Sequence, residues 1–249
     1  MLILILLPAA FLLPPGAGAG EIIGGREARP HSRRYMAYLE IQRGKKNFSC
    51  GGFLVSKDFV LTAAHCNGDE ITVYLGAHNI KNKQEQGRQV IPARAKIPHP
   101  EYDKETDNND IMLLQLKRKA ELTQWVKTIP LPRADKKLKP RRKCSVAGWG
   151  WTSAKRNKTS DTLQEVDVVV IRDDACSYHD YNSCTMLCAG DPRKDKNPSK
   201  GDSGGPLVCR GKAQGIVSYG SGDGTPPAVY TRVSTFVPWI QEEIKKLHP

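Results

Sequence analysis

The sequence predicts an all-β fold, a sandwich or barrel, completed by one C-terminal helix. Three observations carry this. Short segments such as Ile71-Thr72-Val73-Tyr74-Leu75 and Val166-Asp167-Val168-Val169-Val170 alternate apolar and polar positions, the pattern of a strand with one buried face. The connections are rich in Gly, Pro, Asn and Asp, which accept turn geometries. Near the end, Phe236, Ile240, Ile244 and Leu247 fall three or four residues apart behind Thr235, which can cap a helix over 235–247.

Read from the start, Leu2 to Leu7 and a short apolar stretch end in Ala17-Gly18-Ala19, a small-x-small pattern that predicts a secretory signal over residues 1–19. Pro8, Pro14 and Pro15 interrupt it, and it falls short of the roughly 20 apolar residues that a membrane span needs. Cleavage after Ala19 leaves Gly20-Glu21 ahead of Ile22-Ile23-Gly24-Gly25. Ile22 to Pro249 is 228 residues, enough for one sizeable core or two small ones. No fixed short repeat, low-complexity tract or flexible linker is evident, but the Pro-rich, basic stretch Ile129 to Lys143 is suited to a crossing between two halves. Seven cysteines without a Cys-x-x-Cys pair, in an exported chain, point to disulfides rather than a metal, and the odd count leaves one thiol over. The sequons Asn47-Phe48-Ser49 and Asn157-Lys158-Thr159 are candidate surface glycosylation sites.

The formal charge is +12, and because residues 1–21 hold one acid and no base, the part from Ile22 onward carries +13. Such a surface attracts polyanions. Lys136-Lys137-Leu138-Lys139-Pro140-Arg141-Arg142-Lys143 has six cations in eight residues, with smaller clusters at Lys117-Arg118-Lys119 and Arg193-Lys194-Asp195-Lys196. No aromatics are interleaved, which argues against a specific nucleic-acid partner. A heparin-like glycosaminoglycan or a proteoglycan is the partner class that this charge favours.

The chemistry concentrates in Gly201-Asp202-Ser203-Gly204-Gly205-Pro206. A serine hydroxyl needs a base to remove its proton, and the oxyanion it creates needs fixed donors, which glycine-flanked N–H groups supply. The missing roles stand elsewhere in the chain. Thr62-Ala63-Ala64-His65-Cys66 follows the apolar run Phe59-Val60-Leu61, and Asn109-Asp110-Ile111 opens another apolar run. Each motif alone is ordinary: a tight turn, a structural histidine, a strand-edge aspartate. Their coincidence in the order His65, Asp110, Ser203 reads as a nucleophile with its base and orienting acid.

Together with Gly148-Trp149-Gly150 and Ser218-Tyr219-Gly220, these motifs resemble a chymotrypsin-family serine protease from Ile22 to the end. Pro30-His31-Ser32-Arg33, Gly76-Ala77-His78-Asn79-Ile80 and Gly215-Ile216-Val217-Ser218-Tyr219-Gly220 narrow the resemblance to the granzyme, mast-cell chymase and cathepsin G branch. The likeness implies two packed six-stranded antiparallel β-barrels, one over about 22–128 and one over about 129–234, and then the helix. It implies a serine endopeptidase of secretory granules, secreted, acting on protein substrates with no cofactor or metal. In it, His65 is the base, Asp110 fixes the imidazole, and the N–H groups of Gly201 and Ser203 form the oxyanion hole.

The same resemblance gives Asp202 to the α-amino group of Ile22 once a dipeptidyl peptidase removes Gly20-Glu21. It pairs Cys50 with Cys66 and Cys144 with Cys209. It joins Cys176 to Cys188 and leaves Cys184 free, with Cys176 to Cys184 as the alternative. By likeness, Asn197 floors the primary pocket and Ser218, Gly220 and Ala228 line it. An uncharged pocket implies chymase-like cleavage after Phe, Tyr, Leu or Met. Asn197 shortens it toward Leu or Met, or fits it to a polar side chain, and Lys200 selects acidic residues beyond the cleaved bond. Serpin-type inhibitors fit such an enzyme. The alternative class is a cationic granule protein that binds glycans or microbes with little proteolysis.

Overall fold

The computed structural model describes residues 25–134, 136–150, 159–191, 198, 201–221 and 225–247. After a two-residue strand β1 (Arg26–Glu27), six strands follow: β2 (Met36–Arg43), β3 (Lys46–Leu54), β4 (Phe59–Thr62), β5 (Glu70–Leu75), β6 (Gln89–Pro98) and β7 (Met112–Leu116). They close into a barrel in the order β2-β3-β4-β7-β6-β5. Closure rests on β2 pairing at both edges, so that Leu39 lies opposite Cys50 on one side and Val73 on the other. The period of two in the sequence becomes the inside and outside of the barrel. On β5, Ile71, Val73 and Leu75 are buried, and they meet Leu39, Ile41, Phe53 and Leu61 in a continuous apolar core. Each such side chain contributes about 1.5–3 kcal/mol by leaving water.

The basic, Pro-rich stretch carries the chain across. Ile129 N–H donates to the Leu54 carbonyl of the first barrel (2.9 Å), and Ala213 N–H of the second half donates to the Pro130 carbonyl (3.1 Å). The second set of strands is β8 (Lys143–Gly148), β9 (Gln164–Val170), β10 (Met186–Gly190), β11 (Pro206–Cys209), β12 (Lys212–Gly220) and β13 (Ala228–Arg232). They run β9-β10-β13-β12-β11-β8, and pairing of β8 with β9 closes this six-stranded barrel, while β1 adds to the outside of β9. Val146, Val166, Val168, Leu187, Leu207 and Tyr230 fill it. The expected pair of six-stranded antiparallel barrels is thus what the chain builds.

The helix α1 (Val233–Leu247) departs from the expectation at its start. Thr235 is not its cap; it lies in the first turn and its hydroxyl donates to the Cys184 carbonyl (2.7 Å). The reason is that β13 runs straight into the helix. Arg232, the last strand residue, is buried and anchored to the Met186 carbonyl (3.0 Å) and Asp173 (3.1 Å), so no free loop residue precedes the first turn. Phe236 and Ile240 then join the core of the first barrel, with the Phe236 ring 5.1 Å from that of His99. Among the described residues no helix is long and apolar enough to cross a membrane. Disulfides join Cys50 to Cys66, Cys144 to Cys209 and Cys176 to Cys188, and Cys184 is free and exposed.

Candidate active site

The site lies on the seam between the barrels, and β3 builds the seam with two adjacent residues. Cys50 is bonded to Cys66, the residue after His65. Gly51 N–H donates to the Ser203 carbonyl (2.7 Å), and its own carbonyl accepts the Thr62 hydroxyl (2.8 Å). One strand therefore fixes the His65 turn of the first barrel and the Ser203 loop of the second. The close approach needs glycine: a Cβ on Gly204, whose φ is +82°, would stand 2.1 Å from Thr62 Oγ1.

His65 sits on a single 3-10 turn (Ala64–Cys66) directly after β4, and Asp110 immediately precedes Ile111 and β7. Because β4 and β7 are paired, with Thr62 opposite Met112, the two side chains meet. His65 Nδ1 lies 2.7 Å from Asp110 Oδ2, and His65 N–H donates to Asp110 Oδ1 (3.0 Å). A carboxylate only accepts, so Nδ1 carries the proton and Nε2 keeps its lone pair. Asp110 is fully buried, which is tolerable only because it is hydrogen-bonded. The Ser218 hydroxyl of β12 supplies a third donor at 2.5 Å, and the Thr231 hydroxyl holds the Asp110 carbonyl at 2.6 Å. Both barrels thus grip the same aspartate. Burial works to lower the pKa of His65, but the charge of Asp110 and its hydrogen bond outweigh it. The result lies above the usual imidazole value.

On the other side of Ser203, Asp202 is fully buried and accepts the Gly150 N–H at Oδ1 (2.9 Å). Its seat is cut from glycine, since a Cβ on Gly148 would lie 2.0 Å from Oδ1. Gly204 N–H donates to Val217 O and Gly205 N–H to Asp202 O, whereas the N–H groups of Gly201 and Ser203 donate to no described residue. An ionisable imidazole held by a buried carboxylate, with a serine on a glycine-rich loop tied to the same strand β3, is an arrangement suited to acyl transfer.

Comparison with known proteins agrees. The profile of the family described as Trypsin matches residues 22–240. The chain belongs to the trypsin family. It is 56% identical over 247 residues to mast cell protease 3 of Ovis aries, which covers 98% of this chain and 97% of that protein. It is 54% identical over 245 residues to human granzyme H (97% and 98% covered) and 54% over 243 residues to human cathepsin G (97% and 94%). A solved structure described as "Structure of GrC" superposes with a TM-score of 0.86 at 49% identity, covering 90% of this chain and all of that one. This trypsin-family chain is therefore a serine protease of the granzyme, mast-cell protease and cathepsin G branch, with the chymotrypsin fold.

Within this trypsin-family site, His65, Asp110, Ser218, Ser203, Gly201 and Asp202 come together on the seam. Gly220 and Ala228 are cross-strand partners on β12 and β13, and neither brings charge. Asn47 is exposed on β3. Ile22, Asn197, Lys200 and Asn157 lie outside the described residues. Two things escaped sequence reasoning. Ser218, read as a pocket residue, puts its hydroxyl on Asp110; its only signal was the Ser218-Tyr219-Gly220 motif. Asp107, half-buried on the turn before Asp110, brings a second carboxylate to His65: oxygens of Asp107 and Asp110 and a ring nitrogen of His65 lie within 4.8 Å of one another. In sequence it was one acid in a polar turn.

Proposed function

We propose that this chain is an endopeptidase in which Ser203 attacks the scissile carbonyl. Its proton passes to His65 Nε2 as the Oγ–C bond forms, and the oxyanion takes the N–H groups of Gly201 and Ser203. Collapse breaks the C–N bond and His65 gives its proton to the leaving amine. Water, deprotonated by His65, then hydrolyses the acyl-serine and restores the hydroxyl. Asp110 holds the tautomer and stabilises the imidazolium. The single observation that carries this reading is the 2.7 Å bond from His65 Nδ1 to a carboxylate that is completely buried.

Finer features follow as proposals. Uncharged Gly220 and Ala228 support a chymase-like pocket for Phe, Tyr, Leu or Met, with Asn197 as its floor and Lys200 favouring acidic residues beyond the cleaved bond. The buried Asp202 supports activation by the α-amino group of Ile22 after a dipeptidyl peptidase removes Gly20-Glu21, since a buried carboxylate gains most from a counter-charge. Granule storage, secretion and control by serpin-type inhibitors accord with the granzyme and cathepsin G relatives. A cleft of about 680 Å³, lined on one side by Arg133, Lys136, Lys137, Lys139 and Arg142 and on the other by Arg210 and Lys212, supports a heparin-like glycosaminoglycan or proteoglycan partner. The same cleft favours a second reading, a cationic glycan- or microbe-binding protein with little proteolysis.

A fluorophosphonate probe separates the two readings. Chain beginning at Ile22 takes the label and cleaves a peptide library, while Ser203→Ala does neither; an unlabelled, inactive Ile22 form overturns the protease mechanism and leaves the glycan-binding reading.

A further inference from the structure

His65 is held through its backbone as well as its ring, and only one half of that backbone grip comes from Asp110. Its N–H donates to Asp110 Oδ1 (3.0 Å). Its carbonyl is taken by Arg43, the last residue of β2. Arg43 Nη2 donates to the His65 carbonyl (2.8 Å), and Nε donates to the carbonyl of Asn67 (3.0 Å), which Nη2 also reaches. Carbonyls at the end of a helical turn have no partner within it. The Gly68 N–H that follows this turn goes to Asn67 Oδ1 (2.9 Å), so the guanidinium serves two carbonyls that the local backbone leaves unmet. Its planar fork presents the donors in a fixed geometry, and hydrogen bonds from a charged donor are stronger than neutral ones.

Arg43 is itself seated. Its guanidinium lies over the Phe48 ring, 4.7 Å from the centroid. The hairpin between β2 and β3 is stitched to the segment after His65: Asp69 N–H donates to the Gln42 carbonyl (2.7 Å), and Gly44 N–H donates to Asp69 Oδ2 (2.6 Å). Among the described residues Arg43 hydrogen-bonds only to carbonyls and makes no ion pair, so its charge is not cancelled by a carboxylate of its own. Three charged groups therefore act on the imidazole. Burial lowers the His65 pKa, Asp110 and then Asp107 raise it, and Arg43 pulls it back down.

We propose that Arg43 is a positioning residue for the general base: by holding the two carbonyls at the end of the His65 turn, it fixes the direction in which the imidazole presents Nε2 to the Ser203 hydroxyl. The inference rests on the role of His65 proposed above, and adds a residue that no catalytic motif marks, 22 positions away in a polar hairpin. Asp110 grips the N–H and Nδ1 of His65, and a turn gripped there alone can rock about those bonds. Arg43 removes that freedom through the carbonyl. A misplacement of about 1 Å can cost on the order of 100-fold in rate, so a brace against it bears directly on turnover.

The test is the pH profile of two variants of the chain beginning at Ile22, with kcat expressed per site titrated to completion by a fluorophosphonate. Arg43→Met keeps an unbranched stem and removes both the donors and the charge. We expect its kcat per site at pH 9 to fall about tenfold with KM within about twofold, and its acid limb to move to higher pH because the imidazolium is no longer repelled. Arg43→Lys keeps the charge, but one ammonium cannot reproduce the fork. Its acid limb stays in place while kcat per site falls by a smaller factor. A residue that merely stabilises the fold would lower Tm and the titrated fraction and leave kcat per site and the acid limb unchanged; that outcome in Arg43→Met overturns the assignment. Should Arg43→Met not fold, a kcat per site in Arg43→Lys equal to that of the unsubstituted enzyme overturns it instead. Unsubstituted enzyme that takes no fluorophosphonate overturns the protease mechanism, and the role of Arg43 with it.

Discussion

Asp110 uses both oxygens on one residue: Oδ1 fixes the backbone of His65 and Oδ2 its ring. The buried charge raises the imidazole's affinity for a proton despite burial. A general base works only when neutral, so kcat/KM rises as pH climbs through the His65 pKa, with a midpoint above the ordinary value of about 6.5. Asp110→Asn reverses both effects. An amide that presents N–H to Nδ1 favours the wrong tautomer, and the residual activity, down about 10⁴-fold in kcat, has its acid limb shifted to lower pH. Stopped assays from pH 5 to 9 measure both; a loss of less than tenfold would sink the role given to Asp110. These contacts show what the motifs could and could not convey. His65, Asp110 and Ser203 stand out in the sequence because their neighbours mark them, and of these the structure joins His65 to Asp110. The Ser218 and Thr231 hydroxyls reach Asp110 from more than 100 positions away and follow only from the meeting of the two barrels.

At the scale of elements, β3 is the strand on which the site depends, because consecutive residues grip both halves of it. Removing one grip is informative. Cys50→Ala with Cys66→Ala deletes a crosslink of sequence separation 16, and the loss of about 2–5 kcal/mol corresponds to a fall in Tm of roughly 4–20 °C. The Gly51 to Ser203 bond remains in this variant, so the Ser203 loop stays seated while the His65 turn loosens. Activity at 25 °C should fall further than the folded fraction measured by circular dichroism; parallel losses would mean that the bridge serves stability alone. The strands themselves were readable, since a buried interior forces a period of two on β5 and β9. The start of α1 was not. A capping residue looks the same in sequence whether a loop or a strand precedes it, and here Arg232 carries β13 directly into the helix, leaving Thr235 to serve the Cys184 carbonyl instead.

At the scale of the molecule, charge is distributed against the chemistry. The cleft cations gather at the end of β11 remote from the Ser203 loop: Arg142 precedes β8, Arg210 lies on the turn after β11 and Lys212 opens β12, while the other end of β11 leads back to Ser203. A long polyanion seated there, the partner proposed above, would hold the enzyme while leaving the seam between the barrels open. Whether the cleft or the net charge does the binding can be decided by two variants of equal charge change. Lys136→Glu, Lys137→Glu and Lys139→Glu together alter the cleft, and Lys117→Glu, Arg118→Glu and Lys119→Glu alter a separate surface cluster. Diffuse attraction depends on total charge and is screened over about 10 Å at 0.1 M salt, whereas a lined cleft acts through cations that converge on one ligand. The cleft variant should therefore elute from immobilised heparin at clearly lower salt than the second variant, which stays nearer the unsubstituted chain. Equal shifts would assign the binding to net charge and remove the cleft from the account.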